Sequence, residues 1–250
     1  MKNQKKVPKI AVIGYGAMGR QIESVCLANG LAITEIFDID SKIDIRKSYA
    51  FDVAIDFSFP AAVLDNAKAV SKLGKNLVIG TTGWEKDFGR IKTLTLKSNI
   101  GLVYGSNFSV GMQMFFRIAD FAAKLKSHQN EFDIFVHEIH HKRKKDSPSG
   151  TALSLADIIL NKVPDKKKIL AEKSSTAINQ NELHVSSTRG GDVPGTHTIY
   201  IDSPADTIEL THRARNRNGF AEGAVMAAKW IHGKAGFFDF REVVASIWDL

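Results

Sequence analysis

The sequence predicts an α/β chain, with a doubly wound parallel sheet in its first half and a second, α+β domain after it. Three observations carry this reading. Short apolar runs alternate with amphipathic helical patterns from Lys9 to Tyr104, the alternation that builds parallel sheets. A glycine-rich turn, Gly14-Tyr15-Gly16-Ala17-Met18-Gly19, separates the first run from the first helical pattern. From Leu183 onward, three strand-like runs follow one another with no helix between them, which indicates a mainly antiparallel sheet.

The 250 residues suffice for two modest domains. We expect a dinucleotide-binding domain over 1–110, completed by 218–250, and a substrate-binding domain over 111–217. A composition of 44% hydrophobic and 24% charged residues argues against disorder. No apolar run approaches the roughly 20 residues of a membrane span. The basic start, Met1 to Lys6, precedes only the short apolar run Ile10 to Ile13, so it reads as the approach to a strand rather than a secretory signal. Cys26, the single cysteine, sits in an apolar helical pattern and reads as a buried thiol, in keeping with a cytoplasmic setting. A net charge of +7 favours anionic partners, whether nucleic acid, a cofactor pyrophosphate or a carboxylate substrate.

Taken in order, Lys9 to Ile13 is the first strand. Met18, Ile22, Val25 and Cys26 then keep helical spacing. The G-x-G-x-x-G turn thus lies between strand and helix, where a Rossmann-type fold binds a dinucleotide. Gly14 permits the tight turn, Gly16 lets the backbone approach a pyrophosphate, and Gly19 lets helix and strand pack closely. The second strand, Ile33 to Phe37, ends at Asp38, whose carboxylate can accept hydrogen bonds from ribose hydroxyls and repels a 2′-phosphate. Lys42 and Arg46 lie nearby in sequence. NADH is therefore favoured over NADPH, with dual use open. Val53 to Phe57 is a third strand, and Ser58 and Pro60 start a helix with Val63, Leu64, Ala67, Val70 and Leu73 on its apolar side. Strands Leu77 to Ile79 and Leu102 to Tyr104 end in Gly80-Thr81-Thr82-Gly83 and Gly105-Ser106-Asn107-Phe108. Small residues there leave room for a ligand and offer hydroxyls, although turn chemistry alone would also explain them.

The pattern changes after Phe108. Met112 to Leu125 reads as a long helix with Phe115, Ile118, Ala119, Ala122 and Leu125 inward, and Phe132 to Ile139 as a strand. A helix from Pro148 to about Leu160 precedes a lysine-rich span, Lys162 to Lys173, that we read as solvated surface. Strands follow at Leu183 to Thr188, Thr196 to Ile201 and Thr207 to Thr211. A helix from Phe220 to Ile231 and a run from Phe237 to Ile247 close the chain and pack back on the first domain.

One stretch concentrates chemistry. His137 to Thr151 holds three histidines, the cations Lys142 to Lys145, and a Ser149-Gly150-Thr151 turn. If the strand runs on to His140, then Ile134, Val136, Glu138 and His140 share a face and His141 points away. With no cysteine near and no helical His pair, a metal site is not expected. Pro148 suits the first turn of the next helix and Ser147 its cap, leaving the N–H groups of Ser149, Gly150 and Thr151 free to seat a carboxylate or phosphate. A capped helix beside a solvated basic loop would look the same.

From Glu138 to Ala152 every fixed position of E-x-H-H-x-x-K-x-D-x-P-S-G-T-A is met, and this stretch resembles the signature of the dihydrodipicolinate reductase family. The likeness extends to Gly80-Thr81-Thr82-Gly83, to Ser106 through Gly111, to Arg189 through His197, and to Phe220-Ala221-x-Gly223-Ala224. It implies hydride transfer from a reduced nicotinamide to a cyclic, unsaturated dicarboxylate. His140 matches the family's active-site histidine and Lys144 its proton donor; only the resemblance selects Lys144 from its run of cations. His141, Gly150 and Thr151 match the substrate-carboxylate contacts, and Ser149 begins the same turn. Cofactor contacts are expected from Gly14 through Gly19, Asp38, Gly80, Thr81, Thr82 and Gly105 through Phe108. The family's loop is commonly one residue longer, G-x-x-G-R-M-G. The shorter loop here lacks that arginine, and with Asp38 this favours NADH. A homotetramer assembled through the second domain's sheet is also implied. DNA binding would need a helix-turn-helix or an aromatic-rich basic groove, and neither pattern is present.

Overall fold

Buried on both faces, a parallel strand needs no polar side, and Ile10–Ile13, the first strand (β1), is buried at all four positions. The computed structural model describes residues 7–171, 174 and 176–249; the basic start and Lys173 lie outside them. After β1 come α1 (Ala17–Ala28), β2 (Ile33–Phe37), β3 (Val53–Asp56), α2 (Pro60–Lys72), β4 (Asn76–Ile79), α3 (Phe88–Lys97) and β5 (Gly101–Tyr104). The middle of the chain holds α4 (Val110–Lys126), β6 (Asp133–His140), α5 (Gly150–Lys162), β7 (Lys168–Leu170), β8 (Glu182–Arg189), β9 (Thr196–Asp202) and β10 (Thr207–Arg213). It ends with α6 (Asn218–Ile231), β11 (Gly236–Asp239) and α7 (Phe240–Trp248). These elements divide into two units, Met1–Val110 with Arg217–Leu250, and Gly111–Asn216.

In the first unit the strand order is β11-β5-β4-β3-β1-β2, and every pairing is parallel. This is the doubly wound sheet that the strand–helix alternation predicts. The helix α3 goes unread in the sequence because Phe88–Lys97 buries only Ile91 and Thr95. The closing run splits into β11, paired with β5, and α7, which Asp239 and Glu242 start with a capping box.

On one side of this sheet α6 lies very close to its neighbours, which explains its small residues. Ala221, Ala224, Ala227 and Ala228 are buried in one core with Phe108 and Phe240. A Cβ on Gly223 would stand 1.7 Å from the Phe108 carbonyl oxygen. Gly223→Ala is therefore expected to destabilise the first unit by about 1–3 kcal/mol or more, read as a lower urea midpoint. An unchanged midpoint would contradict this packing.

The second unit corrects one expectation. Its sheet, ordered β10-β9-β6-β8-β7, is mixed rather than mainly antiparallel. Strand β6 pairs antiparallel with β9 but parallel with β8, and β7 is parallel to β8. The helix α5 lies in the chain between β6 and β8 and supplies the crossover that a parallel pair needs. Strands that look successive in sequence are thus not all neighbours, because β6 inserts between β8 and β9.

Two smaller expectations also change. Ile118 and Leu125 are about half exposed; the buried stripe of α4 is Met112, Phe115, Phe116, Ala119 and Ala123, which holds the 3.6-residue period one step away. Nor is the lysine-rich span all solvated. Lys166 is buried, with Nζ 2.6 Å from Asp133 Oδ1 and donating to the Glu182 carbonyl at 2.9 Å. Lys168–Leu170 is strand β7.

Candidate active site

Each sequence-marked glycine in the first turn has a different environment. Gly14 has φ +85°, and a Cβ there would lie 2.6 Å from the Phe57 carbonyl oxygen. A Cβ on Gly19 would lie 2.2 Å from the Gly14 carbonyl oxygen. Around Gly16 nothing lies within 4 Å of where a Cβ would be, and it precedes α1 with no side chain capping the helix. So Gly14 and Gly19 close the turn, while Gly16 keeps an open approach to a helix N-terminus. Ala17 is exposed and Met18 packs partly on the core. Tyr15 donates its hydroxyl to Glu23, which raises its pKa, and the Arg20 guanidinium lies 5.2 Å from its ring centroid.

Asp38 follows β2 in a tight turn with Ser41. With Gly14, Lys42, Ser58 and Asn66 it lines a cavity of about 400 Å³. An open glycine turn, an uncapped helix start and a carboxylate at the end of the second strand fit a dinucleotide.

The other strand ends divide into exposed and committed groups. Thr82 and Ser106 are exposed. Gly80, however, leaves room for the Phe57 ring, which a Cβ would meet at 2.1 Å. Gly105 sits 3.0 Å from Phe240 on the same measure, and Phe108 is buried against Phe240 with ring centroids 4.5 Å apart. Asn107 is buried and accepts from the Ser109 N–H. The Thr81 hydroxyl is held by Asp56 at 3.0 Å. Asp56 is a hub that sequence reading passes over: fully buried, it also accepts from the Ser58 N–H and hydroxyl and from Asn66. Its signal was an aspartate closing an otherwise apolar strand.

In the second unit, β6 alternates as the sequence predicts, burying Ile134, Val136, Glu138 and His140. Beyond it the chain turns. The His141 N–H donates to the Val193 carbonyl at 2.8 Å and the Lys144 N–H to the His141 carbonyl at 3.1 Å. Lys144 Nζ then reaches Asp146 Oδ1 at 2.9 Å, with its side chain about a quarter exposed. The next pair, Arg143 with Asp192 at 2.6 Å, is exposed on both sides. Burial alone would raise the Asp146 carboxyl, but the pairing with Lys144 lowers it.

Glu138 is completely buried. Its Oε1 accepts from the Ser149 N–H at 2.9 Å, Ser187 Oγ at 2.8 Å and Arg189 Nη2 at 2.8 Å. Its Oε2 accepts from the Ser149 hydroxyl and lies 3.2 Å from His140 Nδ1 and 3.5 Å from His197 Nε2. Burial would raise this carboxyl, yet His140, His197, Ser149 and Arg189 together hold it far below the usual carboxylate range. Burial pushes His197 the other way, below the ordinary histidine value.

A pH dependence follows. Because the folded value lies below the unfolded one, the stabilisation from Glu138 is complete above about pH 4.3 and is lost as pH falls towards the folded value. The stability gap between the parent and Glu138→Gln, measured by urea unfolding, should shrink from about pH 7 to about pH 3.5. A constant or widening gap would contradict the assignment.

The start of α5 needs correcting. Its cap is Ser149, whose hydroxyl accepts from the Ala152 N–H, not Ser147, and Pro148 lies outside the helix. Ser149 wins because its N–H and hydroxyl also bind Glu138, so its groups are not open to a ligand. Gly150 is exposed with nothing within 4 Å of a Cβ, and Thr151 is half-buried beside it.

Glu138, His140 and His197 place their ligand atoms within 4.8 Å of one another, a trio the sequence does not reveal because His197 comes from β9. Arg189 and three hydroxyl or amide donors already engage that carboxylate, and a guanidinium at 2.8 Å disfavours a metal cation beside it. The donor set suits a hydrogen-bonded carboxylate.

Comparison with known proteins agrees with the sequence resemblance. Residues 8–108 match the family model for the N-terminus of dihydrodipicolinate reductase, and 111–244 the model for its C-terminus. The chain belongs to the dihydrodipicolinate reductase family. It is therefore an NAD(P)H-dependent oxidoreductase with a Rossmann-like dinucleotide-binding unit. A 4-hydroxy-tetrahydrodipicolinate reductase from Christiangramia forsetii is 36% identical over 95% of this chain and 98% of its own. One from Archaeoglobus fulgidus is 39% identical over 94% of this chain and 100% of its own. The dipicolinate-bound dihydrodipicolinate reductase of Paenisporosarcina sp. TG-14 superposes with a TM-score of 0.74 at 19% identity, over 95% of this chain and 99% of that one, and shows the shared fold. Among the described residues no helix is long and apolar enough to cross a membrane.

Proposed function

We propose that this chain reduces 4-hydroxy-tetrahydrodipicolinate to tetrahydrodipicolinate, in the route to diaminopimelate and lysine. The observation that carries the site assignment is an oriented ammonium and a helix start with an exposed glycine on one short stretch. Lys144 is held by Asp146, and Gly150 and Thr151 present the first turn of α5. When bound, the reduced nicotinamide supplies a hydride. Loss of the hydroxyl as water uses a proton from the Lys144 ammonium, which regains the one released from the adjacent ring carbon; the restored ammonium then protonates the electron-rich product of hydride addition. The N–H groups of Gly150 and Thr151, with His141, hold a substrate carboxylate through the helix-end field and charge-assisted bonds. His140 lines the same seat. Lys142, Arg143 and Lys145 add supporting positive charge.

Gly14 through Gly19 receive the pyrophosphate and Asp38 the adenosine ribose, with Thr82 and Ser106 as exposed groups at the neighbouring strand ends. Gly80, Thr81, Gly105, Asn107 and Phe108 shape those ends from behind. The carboxylate of Asp38 makes NADH the preferred donor. Lys42 in the same cavity keeps NADPH usable.

The chain acts in the cytoplasm as a homotetramer built on the second unit's sheet. In support, the face of that sheet opposite its core carries Phe135 and Tyr200 stacked at 4.8 Å, and β10 is an edge strand with Ile208 half exposed. Nucleotide oxidation followed by absorbance, with freshly generated substrate and each nucleotide in turn, tests the whole reading. Substrate-dependent oxidation, faster with NADH, is expected; none with either nucleotide would overturn it.

A further inference from the structure

We infer that Glu138 is the positioning residue of this site: its buried carboxylate fixes the His140 ring, the start of α5 and, through Arg189, the loop that carries Lys144. The inference rests on the reductase reading of the site. It goes beyond that reading by assigning a role to a side chain that touches no reactant.

The donors to this carboxylate come from several elements around the site. The Ser149 N–H and hydroxyl both reach Glu138, tying the residue before Gly150 to β6. Arg189 ends β8 directly beside His140 in register. Its Nη2 donates both to Glu138 Oε1 and to the Asp146 backbone carbonyl. One guanidinium thus holds the carboxylate and the residue that pairs with Lys144. On the third side, Oε2 lies 3.2 Å from His140 Nδ1. At that spacing a proton on Nδ1 would face the carboxylate, and Nε2 lies beside Gly195, where a Cβ would come within 3.0 Å. The glycine leaves room for the ring on its Nε2 side, so Glu138 and Gly195 together set its position.

Stability alone does not account for this arrangement. A buried ion pair gains little over an apolar replacement of the same shape. An arrangement that served stability alone would not need to join His140, the residue before Gly150 and, through Arg189, the partner of Lys144 on one carboxylate. Misplacing such groups by an ångström costs about a hundredfold in rate.

The test uses the full-length protein and two variants, Glu138→Gln and Arg189→Lys. In Glu138→Gln, kcat should fall roughly tenfold or more and substrate KM should rise, while NADH affinity measured by fluorescence stays within about twofold. Imidazole ¹⁵N NMR should show the His140 proton fixed on Nδ1 in the parent and shared between the ring nitrogens in the variant. Arg189→Lys keeps a cation on Glu138 but loses the fork to Asp146, so it should lower kcat several-fold with the His140 ring signal unchanged. If Glu138→Gln does not fold, Arg189→Lys carries the test alone. Parent-like kcat and KM in the variants that fold, even with lowered stability, would overturn the inference, as would an unchanged His140 tautomer in Glu138→Gln. The NMR reading needs no turnover, so it stands apart from any failure of the substrate assignment.

Discussion

Replacing Lys144 by alanine is expected to lower turnover by roughly 10²-fold or more while leaving NADH affinity within about twofold. Lys144 Nζ is 2.9 Å from Asp146 Oδ1, a tether that keeps the ammonium oriented while its side chain stays about a quarter exposed to incoming substrate. The neighbouring cations have no such tether to a group inside the loop: Arg143 pairs outward with Asp192, and both partners are solvated. In the proposed mechanism, removing Lys144 takes away the proton donor, while the glycine turn of the first unit keeps all its residues. Steady-state kinetics alongside fluorescence titration separates the two effects. Normal turnover in the variant would remove Lys144 from the mechanism.

Asp38→Ala is expected to weaken NADH about tenfold, as loss of a hydrogen bond to a charged group does, and to weaken NADPH less or improve it. The carboxylate lies on the cavity that also holds Gly14 and Lys42. There it would accept from ribose hydroxyls in NADH and repel the 2′-phosphate of NADPH, so its removal costs one nucleotide and relieves the other. Dissociation constants for both nucleotides decide the matter. An equal loss for the two would sink the ribose assignment.

Much of this architecture can be read from local pattern. The G-x-G-x-x-G turn between a buried strand and an amphipathic helix marks a dinucleotide-binding end, and the structure packs Gly14 and Gly19 tightly while leaving Gly16 open. The alternation of Ile134, Val136, Glu138 and His140 is likewise legible, because a half-buried strand has a period of two. What pattern cannot supply is partners brought in from distant strands. Ser187, Arg189 and His197 converge on Glu138 from β8 and β9, so the carboxylate reads in sequence as one more polar letter of a basic stretch. The cap of α5 moves for the same reason: Ser147 and Ser149 are equally good caps locally, and the bonds from Ser149 to Glu138 decide between them. Nor does pattern show that Asp56 holds the Thr81 hydroxyl and that the Phe57 ring packs on Gly80.

We propose that this chain delivers a nicotinamide hydride to 4-hydroxy-tetrahydrodipicolinate. The most direct measurement follows the hydrogen itself: turnover with NADH carrying deuterium at the transferred position, and mass spectrometry of the product. Tetrahydrodipicolinate bearing the deuterium on a ring carbon, formed as the nucleotide is oxidised, is the expected result. Product that forms without the label, or nucleotide oxidation that leaves the substrate unreduced, would contradict it.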